Sequence, residues 1–214
     1  GQRRWGFAFA RAGLIGFDPE TGSVDFHYPR RAKKLESVNA STPIVVGDEV
    51  FISETYGPGS SLLKVLPGGY DVVWRDDPDT RDKAMQAHWN TPVYRDGYLY
   101  GCSGRHAYDA ELRCIRWDTG EVMWSVPRLT RTSLLYVDGH VLCLGEYGQL
   151  FVFQANPLEF QIVASVGEGE VRNEQGQALL EYPCWAAPIL AGRLLYVRGK
   201  DRLVCLDLRP DSYR

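Results

Sequence analysis

The sequence has little that marks a reaction. Only 4 histidines and 2 methionines occur among its 214 residues. Its 5 cysteines (Cys102, Cys114, Cys143, Cys184 and Cys205) include no C-x-x-C pair. No zinc knuckle is therefore signalled. The odd count excludes a complete disulfide framework, and the apolar runs around four of the five predict buried thiols. One bridge, Cys102–Cys114 within a hairpin, stays open as an alternative in an oxidising compartment. No P-loop, G-x-S-x-G or H-E-x-x-H motif is present, so nucleotide hydrolysis and the familiar hydrolase triads have no support.

Charge of one sign is also lacking. Lys and Arg number 24 against 27 Asp and Glu, a formal net charge of −3, which excludes a general attraction to nucleic acid or anionic lipid. No apolar run approaches the ~18 residues of a membrane helix; the longest are pieces such as Pro43–Val46 and Ala186–Leu190. The opening Gly1-Gln2-Arg3-Arg4-Trp5 has no Met and no apolar stretch, so no signal peptide is read there. Helical periodicity is nearly absent, and only Pro78 to Gln86 is expected to hold a short helical turn.

What the chain does have is a repeat. One line of it is a short strand, Leu-x-x-apolar-polar, seen at Leu14–Asp18, Leu112–Arg116, Leu150–Gln154 and Leu203–Asp207, with a weaker copy at Leu62–Leu66. The mean spacing is about 47 residues. A second line precedes it: a small polar residue, usually Pro, an apolar run, a Gly turn and another apolar run. Its copies begin at Thr42-Pro43, Thr91-Pro92, Ser133-Leu134 and Ala187-Pro188. Each predicts a hairpin, because Gly tolerates the positive φ of a tight turn and Asp is its usual partner. A third line is a turn followed by a strand ending in an aromatic residue: Asp18–Gly22 leads to Phe26, Gly68-Gly69 to Trp74, and Asp118–Gly120 to Trp124.

Each module is therefore four short strands, A to D. Such a unit cannot bury its faces alone, whereas radial stacking covers them and leaves only short edges. The expected fold is an all-β propeller of four-stranded antiparallel blades forming one domain. About five modules are present. The first lacks strand A and the last stops after strand C, which is read as part of a larger ring.

The segments Asn90–Gly101 and Leu112–Trp124, together with Asp18–Gly22, make the chain resemble the pyrroloquinoline-quinone-like propeller repeat family. The resemblance spans nearly the whole chain. It implies an eight-bladed ring in which Trp74, Trp124 and Phe26 dock on the Thr-Gly turn of a neighbouring blade. It implies two kinds of function. One is a non-catalytic scaffold for protein binding or assembly, in the periplasm or cell exterior, needing no cofactor. The other is a quinone-dependent dehydrogenase, with Glu54, Asn90 or Glu146 near a calcium ion and Trp89 or Trp185 stacked on the quinone. Dehydrogenases of the alcohol-oxidising type often carry adjacent cysteines; this chain has none. A carbohydrate- or peptide-binding module is a third reading.

Strand order fixes which loops share a face. The B–C loops and D–A connections lie together, opposite the A–B hairpins and Thr-Gly turns. Loops on a rigid scaffold are where binding residues tend to sit. The ligand or partner face is thus expected to carry His88, Trp89, Asn90, Arg105, His106, Arg131, Glu146, Tyr147 and Trp185. His88, Trp89 and Asn90 offer an aromatic platform beside hydrogen-bonding groups; packing of Trp89 between blades, with His88 and Asn90 serving loop backbone, is the alternative. Arg105-His106 with Tyr108-Asp109 suits an anion or a partner carboxylate, against a solvated loop. Glu54 and Glu146 end equivalent B strands and are weak calcium candidates, otherwise solvated. The basic run Arg30–Lys34 is read as a solvated loop, and the sequon Asn39-Ala40-Ser41 as a chance match.

Overall fold

The computed structural model describes residues 3–209, apart from the side chains of 167–170. Gly1, Gln2 and the last five residues of the predicted domain lie outside the described range.

Among the described residues, eighteen strands fall into five antiparallel sheets, each strand paired with its neighbour in sequence. The first blade holds β1 (Gly6–Ala10), β2 (Gly13–Phe17) and β3 (Val24–Pro29). The second holds β4 (Ile44–Val46), β5 (Glu49–Ser53), β6 (Ser60–Leu66) and β7 (Gly69–Arg75). The third holds β8 (Val93–Arg95), β9 (Tyr98–Ser103), β10 (Glu111–Arg116) and β11 (Val122–Pro127). The fourth holds β12 (Thr132–Val137), β13 (His140–Gly145), β14 (Gln149–Gln154) and β15 (Ile162–Glu170). The fifth holds β16 (Ile189–Ala191), β17 (Leu194–Arg198) and β18 (Leu203–Asp207). The three middle blades carry strands A to D. Among the described residues the first blade has B to D and the fifth A to C, as the repeat predicts.

Local chemistry explains the turns. Asp96 and Gly97 have φ of 46° and 85°, and Asp138 and Gly139 have 45° and 77°. Two successive positive φ values define the hairpin turn whose twist matches that of its strands. The C–D pairs of the first four blades all carry register shifts. Such bulges sharpen the right-handed twist that lets blades stack.

The core is divided by interface. Phe9, Leu14, Phe26 and Tyr28 of the first blade pack with Val50, Ile52 and Leu63 of the second. Phe51 and Leu62 pack with Leu99, Ile115 and Trp117 of the third. Tyr100, Leu112 and Cys114 meet Leu134, Val141, Cys143, Phe151 and Phe153 of the fourth. Leu144 and Leu150 meet Leu195 and Val197 of the fifth.

All three aromatic residues dock on a neighbouring blade, but only Trp74 does so on a Thr-Gly turn. Trp74 Nε1 donates to the Trp117 carbonyl at 2.7 Å, and Trp124 Nε1 donates to the Asn156 carbonyl at 2.9 Å. Trp74 also lies on the Thr119-Gly120 turn so closely that a Cβ on Gly120 would sit 2.8 Å from the indole. Phe26 packs on Tyr70, with ring centroids 5.3 Å apart.

Some expectations need correction. No helix forms among the described residues, and none is long and apolar enough to cross a membrane. Pro78 to Gln86 is turn and extended chain, because its polar backbone is held by neighbours: Ala84 N–H donates to Asp76 Oδ1 at 2.8 Å, and the Met85 carbonyl accepts from Ser53 and Ser60 hydroxyls. The Cys102–Cys114 bridge does not form. In the ladder Cys102 faces Leu112, while Cys114 faces Tyr100. All five cysteines are free thiols, four of them buried and Cys205 exposed.

The basic run is not a solvated loop throughout. Arg30 is buried, and its guanidinium donates to the carbonyls of Pro58, Ser60 and Asp76, the last at 2.7 Å. It ties the first blade to the second. Asn39 donates its side-chain amide to the Ala10 carbonyl at 2.7 Å, so the sequon nitrogen is committed to the fold.

Candidate functional site

The B–C loops and D–A connections of four blades meet around Arg131, which enters β12. Its Nε donates to Glu146 Oε1 at 3.0 Å and its Nη2 to Glu146 Oε2 at 2.5 Å. Glu146 is fully buried. Two parallel N–H···O bonds are the strong form of an Arg–carboxylate pair. Burial is the largest single influence and works against the Arg131 charge, but the Glu146 hydrogen bond and the negative charge of Glu146 together hold the guanidinium above its ordinary pKa. The Nη1 edge donates to the Arg105 carbonyl at 3.0 Å and faces His88 Nδ1 at 3.2 Å. The face of the guanidinium lies 4.3 Å from the Trp89 ring centroid.

His88 is thereby fixed. A donor at Nδ1 makes that nitrogen the acceptor, so Nε2 carries the proton and donates to the Tyr56 hydroxyl at 3.1 Å. Burial, reinforced by the Arg131 and Arg105 charges, lowers its pKa to about 4. His88 is neutral at pH 7.

A continuous row of rings follows. Tyr56 meets His88 at 5.7 Å, His88 meets Trp89 at 5.2 Å, and Trp89 meets Trp185 at 5.1 Å. Trp185 meets Tyr182 at 6.3 Å, and Tyr182 stacks on Tyr147 at 5.0 Å. The far end is open to solvent: Tyr147, Tyr182 and Trp185 are 45–46% exposed. The Trp89 Nε1 atom is buried with no hydrogen-bond partner among the described residues.

The other predicted residues divide. Arg105 lies over the Tyr56 ring at 4.6 Å and joins the row at its inner end. Asn90 is buried and structural: its Oδ1 accepts from His88 N–H at 3.1 Å, and its Nδ2 donates to the Cys102 carbonyl at 2.9 Å. His106 stands apart on the loop rim, stacked on Tyr108 with centroids 5.2 Å apart.

The two glutamates are neither solvated nor free for calcium. Glu54 is buried, and its carboxylate accepts from Tyr56 N–H at 2.6 Å and Gly59 N–H at 3.0 Å. Burial pushes its pKa up, against those bonds. It shapes its own loop, and Glu146 is taken up by Arg131. Among the described residues no group of three or more His, Cys, Asp and Glu is placed to hold a metal ion. The donor set expected for a quinone-linked calcium does not fit such an ion.

Tyr56 and Tyr182 sit in loops the repeat locates, but neither shows a role in the sequence. Asp76, buried and accepting from Ser60 and Ala84 N–H, had no sequence signal beyond following a D strand.

A family described as outer membrane protein assembly factor BamB matches residues 6–212. The chain belongs to this PQQ-repeat family. Among solved structures, it is similar to the C-terminal domain of Pseudomonas aeruginosa PilY1, with a TM-score of 0.61 and 16% identity over 92% of this chain and 52% of that one. It spans about half of that protein's length. It is also similar to the computationally designed protein Ika4, with a TM-score of 0.52 and 13% identity, covering 83% of this chain and 96% of that one. The designed protein Ika8 gives 0.53 and 12% identity over 94% of this chain and 66% of the other. At such identities the likeness concerns the fold, a β-propeller. No curated protein sequence matches the chain significantly.

Proposed function

We propose that this propeller is a non-catalytic scaffold that binds a protein segment on its B–C/D–A face. One observation carries the reading. The aromatic row ends in three half-exposed rings, Tyr147, Tyr182 and Trp185, and is locked from behind by the buried Arg131–Glu146 pair. Rigid aromatic side chains give large contact area at low entropic cost, and they dominate protein-binding surfaces. The reading calls for no cofactor; behind the row, Arg131 and Glu146 are taken up by each other. The family's description, an outer-membrane assembly factor, supports a protein partner and a place in the periplasm or cell exterior.

The test is selection of a displayed peptide library against the purified protein, followed by anisotropy titration of the selected peptides. Trp185→Ala and Tyr182→Ala are expected to weaken binding by about tenfold or more, the size of a lost aromatic anchor. Selected peptides that bind the two variants as well as wild type, or no enrichment at all, would overturn the reading. Glycan-array binding that needs Trp185, without peptide binding, would replace it with a carbohydrate-binding module.

A further inference from the structure

Beside the aromatic row lies a second, chemically different feature. A polar cavity of about 460 Å³ opens where loops of the first three blades converge. Lys34 reaches it from the connection between the first and second blades, Thr55 from the loop after β5, and Gln86 from the connection before β8. The remaining wall is the loop after β9, with Arg105, and the start of β10, with Glu111 and Arg113.

Not all of its charges are available. Arg113 and Glu111 neutralise each other at 2.9 Å, and Arg113 also donates to the Lys83 carbonyl at 2.6 Å. Glu111 is further engaged by the Ser125 hydroxyl. Asp109 accepts from His106 N–H at 2.7 Å. Asp109 keeps its negative charge, so what remains is Lys34 and Arg105 against that one carboxylate, a net positive lining. Neither the Lys34 ammonium nor the Arg105 guanidinium has a carboxylate partner among the described residues, although Lys33, next to Lys34 in sequence, pairs with Asp79. Arg105 lies over the Tyr56 ring, which orders its fork without using its hydrogen-bond donors. The Gln86 side-chain amide and the Thr55 hydroxyl add uncommitted polar groups, and Thr55 is itself buried.

We infer that this cavity receives a carboxylate from an acidic side chain of a bound protein segment. The inference rests on the protein-binding reading and gives that segment a chemistry: an Asp or Glu in the cavity, near an apolar residue on the aromatic row. Arg105 links the two, since its side chain lines the cavity while its carbonyl accepts from Arg131. A guanidinium held in place by stacking takes a carboxylate oxygen pair with little further loss of freedom.

The experiment uses fluorescein-labelled peptides of a fixed apolar frame carrying either two acidic residues or the matching amides. Binding is read by anisotropy to wild type, to Lys34→Gln/Arg105→Gln and to Trp185→Ala. Thermal melts verify that the variants are folded. The acidic peptide is expected to bind about tenfold more tightly than its amide counterpart, and to lose that advantage in the double variant and at high salt. Equal binding of acidic and amide peptides, or an advantage that survives the double variant, overturns the inference. If binding still falls in Trp185→Ala, the aromatic reading stands while the cavity assignment fails. If neither peptide binds, both fail. Free glutarate competing as strongly per carboxylate as the peptide would make the ligand a small dicarboxylate and overturn the protein source.

Discussion

The guanidinium of Arg131 lies over Trp89, 4.3 Å from the ring centroid, while its Nε and Nη2 are held by the carboxylate of Glu146 and its Nη1 by the Arg105 carbonyl. A cation so placed has no freedom to serve a ligand. It is the post on which the loops of neighbouring blades are hung.

That arrangement predicts a large penalty for removing one partner. Arg131→Met leaves the fully buried Glu146 carboxylate unpaired and is expected to destabilise the fold by about 3–5 kcal/mol, while Glu146→Gln strands the partly buried guanidinium and is expected to cost less. The double variant Arg131→Met/Glu146→Leu is expected to cost less than the two single effects combined. Urea denaturation of the three proteins measures both quantities.

The histidine gives a pH signature. His88 has a folded pKa of about 4, below the 6.5 of a free imidazole side chain. Between these values the unfolded chain binds a proton that the native protein refuses. Stability from this residue is therefore fully present above pH 6.5 and is lost as the pH falls toward 4. Half-burial and solvent screening reduce the effect to about 1–2 kcal/mol. Glu54 and Asp76, whose pKa values burial raises, push the other way in acid. The clean measurement is the difference in stability between wild type and His88→Gln at pH 7 and pH 4.5, which is expected to shrink on acidification.

The blade-to-blade dock is equally specific. Trp74→Ala removes a packed indole and a hydrogen bond to Trp117, at an expected cost of about 3–5 kcal/mol. Gly120→Ala attacks the same contact from the opposite side, because the added methyl meets the indole and Gly120 has a φ of 74°. Both variants are expected to melt earlier, with the pair less than additive.

Thiol reactivity follows burial. Only Cys205 is exposed, and burial drives the Cys143 thiol well above its ordinary pKa and those of Cys102 and Cys184 to about 11. An aromatic disulfide reagent is expected to titrate one thiol quickly under native conditions and all 5 after denaturation. Rapid reaction of a second thiol in the folded protein contradicts the described packing.

Within the basic run, Arg30→Met is expected to destabilise by about 2–3 kcal/mol because three backbone carbonyls lose their donor. Arg31→Ala, on an exposed neighbour, is expected to change stability by less than about 0.5 kcal/mol. Chemical denaturation separates the two.

The strands were legible because their causes are local. Asp-Gly turns, Pro at the head of strand A and Thr-Gly before Trp124 act within a few residues, and the loops sharing a face follow from counting strands. The site was legible only as a neighbourhood. Arg131 meets His88 across 43 residues and Ser133 meets the Trp185 carbonyl across 52, and no local pattern announces such a meeting. Burial misled most. Arg30 stands in a run of five residues with four cations, and Glu54 and Glu146 stand where B strands give way to loops, so each reads as solvated. All three are drawn inward by partners that only the stacked blades supply.

The core is partitioned into four clusters, each confined to one pair of adjoining blades. Cohesion is therefore that of a chain of links rather than of one mass, and each link parts on its own. The row from Tyr56 to Trp185 crosses three of those links. A molecule laid along it would act as a clasp, slowing amide exchange in blades it does not touch and leaving the link between the first and second blades as the one that opens first.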